Sequence, residues 1–245
     1  MVLIDSHTHL FEMKKDYVLP PDIYPVVCAY SHGSNKKAVE LAKQKDYPFV
    51  IGIAPQTSLK EGIGKLDEWI EFIRQNKPNA IGEIGLDYKW AETKGDLEKE
   101  QILFERMIAL AKEMKLPIVI HSRNNPNDND LPKNAVQDII RQTKGMKMLM
   151  HFYSGSEEDA KEIVEEGGYI SIMHLRSKER RKVINSVPLN RLLVESDSPY
   201  VGRTPESIRE AIEYIAEVKG VETDKVARAT SENAMKFFDF HLNLD

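Results

Sequence analysis

The chain is almost without cysteine: Cys28 is the one thiol in 245 residues. A lone thiol closes no disulfide within the chain, and Pro25-Val-Val-Cys-Ala-Tyr30 has the apolar context of a buried strand. No apolar run approaches the ~20 residues of a membrane helix. No basic leader precedes the first apolar stretch. These absences predict a cytoplasmic protein with no membrane contact. Positive charge is not in excess either, since 34 Lys and Arg stand against 39 Asp and Glu, a net charge of -5. That balance argues against a surface built for broad non-specific DNA binding, which draws on many Lys and Arg contacts to phosphate, while leaving room for a local basic cleft. A Gly-rich phosphate fingerprint after the first strand is also missing.

What is present begins at residues 2–10, Val-Leu-Ile-Asp-Ser-His-Thr-His-Leu. An apolar run that closes on two histidines one residue apart reads as a strand. Alternation along a strand puts His7 and His9 on one side, with Asp5 below them. Two imidazoles held this way can share a metal ion, although a strand-end pair can also be plain surface.

Apolar and amphipathic stretches then alternate along the chain. Segment 11–25, with Pro20, Pro21 and Pro25, reads as an irregular loop. Further strands are expected at 26–30, 49–54, 79–87, 117–122, 146–153, 169–175 and 191–195. Helices are expected at 35–44, 66–75, 97–114, 134–143, 157–166, 178–185, 205–218 and 223–238. The Asn- and Asp-rich stretch 124–132 is a loop. With 41% hydrophobic and 30% charged residues, the pattern predicts one α/β domain over 1–245. A (β/α)8 TIM barrel is its economical topology, with an open doubly wound sheet as the alternative.

A barrel gathers the C-terminal ends of its strands on one face. That face would receive His7 and His9, Glu83, His121, His151 and Asp197. Four imidazoles and two carboxylates are too many for one closed structural zinc and suit two ions with a shared ligand. Arg123, Arg176 and Arg203 follow strands, where each suits either a substrate phosphate or a loop carboxylate. Tyr153 and Tyr200 suit packing better than base stacking. His32 and His241 need no function, His174 is ambiguous, and the basic run 178–182 reads as a solvated helix face.

Five stretches in order carry a resemblance: Asp5-Ser-His-Thr-His-Leu10, Gly82-Glu-Ile-Gly-Leu-Asp87, Ile118-Val-Ile-His-Ser-Arg123, His151-Phe-Tyr-Ser-Gly155 and Leu193-Val-Glu-Ser-Asp-Ser-Pro199. Together they resemble the TatD family of metal-dependent hydrolases, within the amidohydrolase-like barrels. The resemblance implies that His7, His9, Glu83 and Asp197 hold one divalent ion, and that Glu83, His121 and His151 hold a second, with Glu83 as bridge. The ions would be Mg, Mn or Zn. It implies a metal-dependent DNase that removes nucleotides from DNA ends, commonly the 3' end, with Asp197 taking a proton from the attacking water. Arg123 and Arg203 would contact the single-stranded DNA substrate. Segment 11–25, Phe152, Asn124 and the shortened Arg203-Thr-Pro205 depart from the family's pattern where substrate is chosen. Two other readings compete: hydrolysis of a small amide, lactone or phosphoester, and a metal-binding barrel without catalysis.

Overall fold

The computed structural model describes residues 1–127 and 130–244. Asp128 and Asn129, inside the loop expected over 124–132, lie outside the described residues, as does Asp245. The strands are β1 (Leu3–Thr8), β2 (Ile23–Cys28), β3 (Phe49–Ile51), β4 (Ala80–Asp87), β5 (Ile118–Arg123), β6 (Met148–Met150), β7 (Tyr169–Ile172) and β8 (Leu192–Val194). All neighbouring pairs are parallel and the order follows the sequence. The helices are α1 (His32–Lys45), α2 (Pro55–Glu61), α3 (Leu66–Asn76), α4 (Lys94–Met114), α5 (Ala135–Gln142), α6 (Glu157–Glu165), α7 (Lys178–Ser186), α8 (Ile208–Lys219) and α9 (Thr223–Phe238). The alternation makes a (β/α)8 TIM barrel. Among the described residues no helix is long and apolar enough to cross a membrane.

Strand alternation separates the apolar residues into two clusters. Leu3, Val27, Ile51 and Ile81 pack with the helices, whereas Ile4, Val26, Val50, Ala80, Val119, Leu149 and Leu193 pack with one another. The second set joins Phe237 and Phe238 at the end of α9, and Asn79 donates to the Phe238 carbonyl at 2.9 Å just ahead of β4. These aromatics therefore close the N-terminal end of the barrel, leaving the opposite end for chemistry.

The seam between β8 and β1 is stitched largely by the segment after β8. Asp197 N donates to the His7 carbonyl at 3.0 Å and His9 N to the Ser198 carbonyl at 2.8 Å. Asp5 sits two residues below His7, but its carboxyl is taken by Ser196, whose backbone N and Oγ lie 2.9 and 2.5 Å away. Burial pushes the Asp5 carboxyl up to about 8, against the opposing hydrogen bonds from Ser196.

Three expectations change. β2 begins at Ile23 and runs through Pro25, inside the segment whose prolines predict a loop. Pro25 faces Asp5 just before the β1–β2 register shifts, and an irregular stretch of ladder tolerates a residue with no N–H. Strands 3, 6 and 7 are shorter than their apolar runs, which continue into Ile53, Tyr153 and Met173, buried beyond the last ladder pairs. Helix α2 was not expected at all. Its proline occupies the first turn, where a missing N–H costs nothing.

Candidate metal centre

Glu83 owes its position to an irregularity in β4. The β4–β5 register shifts between Ile81 and Ile84, and the intervening Glu83 N bonds to the Ala29 carbonyl at 2.8 Å instead. Such a bulge re-aims a side chain, here into the mouth of the barrel. The Gly82–Glu83 peptide is cis, as is Ser198–Pro199. Gly85, at φ 145, lets β5 come close: a Cβ there would lie 1.9 Å from the His121 carbonyl oxygen.

Around Glu83 the structure gathers the predicted residues. Glu83 Oε1 lies 3.0 Å from His7 Nε2 and 3.3 Å from His9 Nε2, and Oε2 lies 3.5 Å from His151 Nε2. Asp197 Oδ1 is 3.1 Å from His9 Nε2. Ligand-type atoms within 4.8 Å of one another form two groups, His7–Glu83–His151 and His7–His9–Asp197. His121 stands at the edge, its Nδ1 3.9 Å from Glu83 Oε2. Its Nε2 is bound to Asp87 Oδ2 at 2.8 Å.

Two further carboxylates support this cluster, and neither was singled out from the sequence. Asp87 holds His121, and its own backbone N donates to the fully buried Glu100 at 2.9 Å. Glu195 accepts from Phe152 N at 2.5 Å and from Ser171 Oγ at 2.6 Å, with Oε1 3.6 Å from His151 Nδ1. Both stand inside the quoted motifs, one directly after Gly-Leu and the other two residues before Asp197, which is the signal that could have found them. Phe152 and Asp197 both have left-handed backbone, φ 46 and 49. Non-glycine residues rarely adopt it.

The cluster is built for positive charge. Burial alone would raise the Glu83 pKa, but His151, His7 and His9 overcome it and hold the carboxyl well below its ordinary range. The same contest, won by His9 and His7, lowers Asp197. Burial works against a charged His151, yet Glu83 and Glu195 keep its pKa up at about 9. His7 is lowered by burial and by the charge of His151.

Donor chemistry fits divalent ions. His9 Nδ1 lies 2.8 Å from the Cys28 carbonyl, which can only accept, so Nε2 of a neutral ring turns its lone pair toward two carboxylate oxygens. Lone pairs that converge in a buried site need a cation between them. His7 Nδ1 and both ring nitrogens of His151 are buried without hydrogen-bond partners. Mixed imidazole and carboxylate donors favour Zn or Mn over Mg.

Other predicted residues separate. Arg123 lines a cavity of about 500 Å³ over the cluster, with Nε 3.8 Å from Asp87 Oδ2. Arg203 is exposed and does not line it. Arg176 pairs with Glu217 at 2.5 Å. Tyr153 is buried and donates to the Ser156 carbonyl, whereas Tyr200 lines the cavity with its ring 5.0 Å from that of His9. His32 stacks on Trp69, away from the cluster. The unexpected α2 supplies Gln56, Thr57, Lys60 and Glu61 to the cavity wall.

The family described as TatD related DNase matches residues 4–239. YabD, a metal-dependent hydrolase of Bacillus subtilis, is 30% identical over 262 aligned residues, spanning 97% of this chain and 99% of its own. The deoxyribonuclease TATDN3 of Homo sapiens is 29% identical, spanning 96% of this chain and 94% of its own. A crystal structure of a TatD family hydrolase from Entamoeba histolytica shares the fold, with a TM-score of 0.80 at 21% identity over 96% of this chain and 97% of that one.

Proposed function

Because the chain belongs to the TatD family of metal-dependent hydrolases, we propose that it is a DNase whose cavity receives the end of a single strand and releases nucleotides stepwise from the 3' side. The observation that carries the reading is the convergence of His7, His9, Glu83 and Asp197 on one buried spot below an open cavity. DNase-named relatives support the substrate.

His7, His9, Glu83 and Asp197 would hold one divalent ion, and Glu83, His121 and His151 a second. Such ions lower the pKa of water and neutralise charge on the phosphoryl oxygens. Asp197 is held ionised by His9 and His7, so it can take the proton of the attacking water. Glu83 keeps three imidazoles turned inward. Asp87 orients His121 through the nitrogen opposite Glu83, and the Glu195 carboxylate stands 3.6 Å from the corresponding nitrogen of His151. Arg123, at the cavity wall, takes a phosphate of the bound strand.

The cavity volume also suits a small ester or amide, so the test carries both arms. End-labelled single-stranded and duplex DNA, RNA and chromogenic esters are incubated with Mg, Mn and Zn in turn. Stepwise shortening of the single strand from its 3' end is the expected result. Turnover of a small ester with intact DNA in every metal would replace this reading with the small-molecule one.

A further inference from the structure

Trp90 is 43% exposed and lines the cavity above the histidine cluster. It is not a loosely placed side chain. Trp90 N and Ala91 N both bond to the Asp87 carbonyl, at 3.0 and 3.3 Å, making a tight turn straight after β4. The residues on either side are anchored: Tyr88 and Ala91 are buried, and the Tyr88 hydroxyl donates to Asp138 at 2.6 Å. The turn thus holds its neighbours down and presents the indole. Its starting residue, Asp87, is the one that fixes His121.

Lys60 of α2 places its ammonium 4.9 Å over the centroid of the Trp90 ring. The other exposed aromatic of the cavity, Tyr200, is already engaged, its hydroxyl bonded to that of Tyr30 at 2.8 Å and its ring edge-on to His9. Lys60 covers part of one face of Trp90, yet the indole stays 43% exposed, so it combines an open aromatic surface with a cation on the ring and Arg123 in the same cavity. A planar apolar ring with phosphates on either side matches that combination. A nucleobase in a single strand has this form, and base stacking on aromatic side chains tolerates any sequence.

We infer that Trp90 is the stacking platform for a nucleobase of the bound strand, with Lys60 and Arg123 beside it to take the flanking phosphates. The inference rests on the DNase reading of the same cavity and names how the strand is gripped. It makes Trp90 a binding residue, so its loss acts on KM and leaves kcat nearly unchanged.

The chain has two tryptophans, of which Trp69 is buried in the core while Trp90 lines the cavity, so an emission change on binding that Trp90→Phe lacks is the signal of Trp90. The as-purified protein, and the same protein in EDTA, is titrated with a tetranucleotide of deoxyadenosine and with its abasic analogue, which keeps sugar and phosphate. The base-bearing strand is expected to quench emission and to bind about tenfold more tightly than the abasic one. Trp90→Ala should abolish that preference and Trp90→Phe largely restore it, both read by calorimetry because neither variant keeps the Trp90 signal, with circular dichroism unchanged in both. Equal binding and equal quenching by the two strands overturns the platform even if DNA is degraded. Base-dependent quenching without cleavage in any metal upholds the platform and overturns the nuclease reading.

Discussion

His9 Nδ1 lies 2.8 Å from the Cys28 carbonyl oxygen, and this contact decides which edge of the imidazole is free. With Nδ1 spent on β2, Nε2 is turned to Asp197 and Glu83. Asp87 does the same for His121 from the opposite nitrogen, and Glu195 stands behind His151. The barrel thus aims its rings with groups from other strands, and Glu83 is where they converge.

Glu83→Ala is expected to be the most damaging single ligand substitution. Three imidazole nitrogens lie within 3.5 Å of its oxygens, so the ligand sets proposed for both ions are disturbed. His121→Ala, at the edge, should remove one ion and leave the other. Elemental analysis after dialysis checks this, with two ions per chain in the wild type. One ion per chain at saturation in the wild type, or two retained by Glu83→Ala, contradicts the shared-ligand arrangement.

Glu195→Gln should weaken metal binding by roughly 10–100-fold, the usual cost of losing a carboxylate behind a ligating histidine. The amide can still accept from Phe152 N, so circular dichroism should stay native. Metal titration by calorimetry separates the two effects, and unchanged affinity would remove Glu195 from the site.

Glu100 makes stability depend on pH. It is fully buried, and that burial pushes its carboxyl up from 4.5 to about 8, although the Asp87 N–H pulls the other way. The unfolded chain releases this proton near 4.5 while the folded protein keeps it to about 8. The stability Glu100 contributes is therefore complete below pH 4.5 and is lost as pH rises through about 8. At about 1.4 kcal/mol per unit the loss amounts to a few kcal/mol. Glu100→Gln should flatten the decline in urea unfolding between pH 5 and 9. Parallel wild-type and mutant curves would show that Glu100 does not titrate in this range.

The histidine–carboxylate cluster was legible because all its residues but Glu83, which stands inside β4, end or follow an apolar run, and a parallel barrel brings such ends together. The supporting groups were harder to see. Glu100 falls in an amphipathic helix, where a glutamate reads as a solvent face, and only the position of Asp87 N explains its burial. Helix α2 escaped because Pro-Gln-Thr-Ser-Leu-Lys-Glu has no apolar stripe to signal 3.6 periodicity. Pro25 read as a breaker because proline excludes most interior strands. The register shift that accommodates it is a tertiary event.

The two arginines expected at the substrate should now behave differently. Both follow expected strands, so their residue patterns do not rank them, but Arg123 ends β5 and lines the cavity while Arg203 lies exposed outside it. A guanidinium beside Asp87, 40% exposed and next to the cluster, can reach a phosphate. A charge-assisted hydrogen bond of that kind contributes roughly 1.5–3 kcal/mol. Arg123→Ala should therefore raise KM for a short single strand about tenfold or more, with Arg123→Lys recovering part of the loss as a point charge without the fork. Arg203→Ala should change KM by less than about twofold, as for a surface charge. Steady-state kinetics on one oligonucleotide at fixed salt decides it. If the Arg203 substitution had the larger effect, the strand would have to leave the cavity past the segment after β8 rather than past β5.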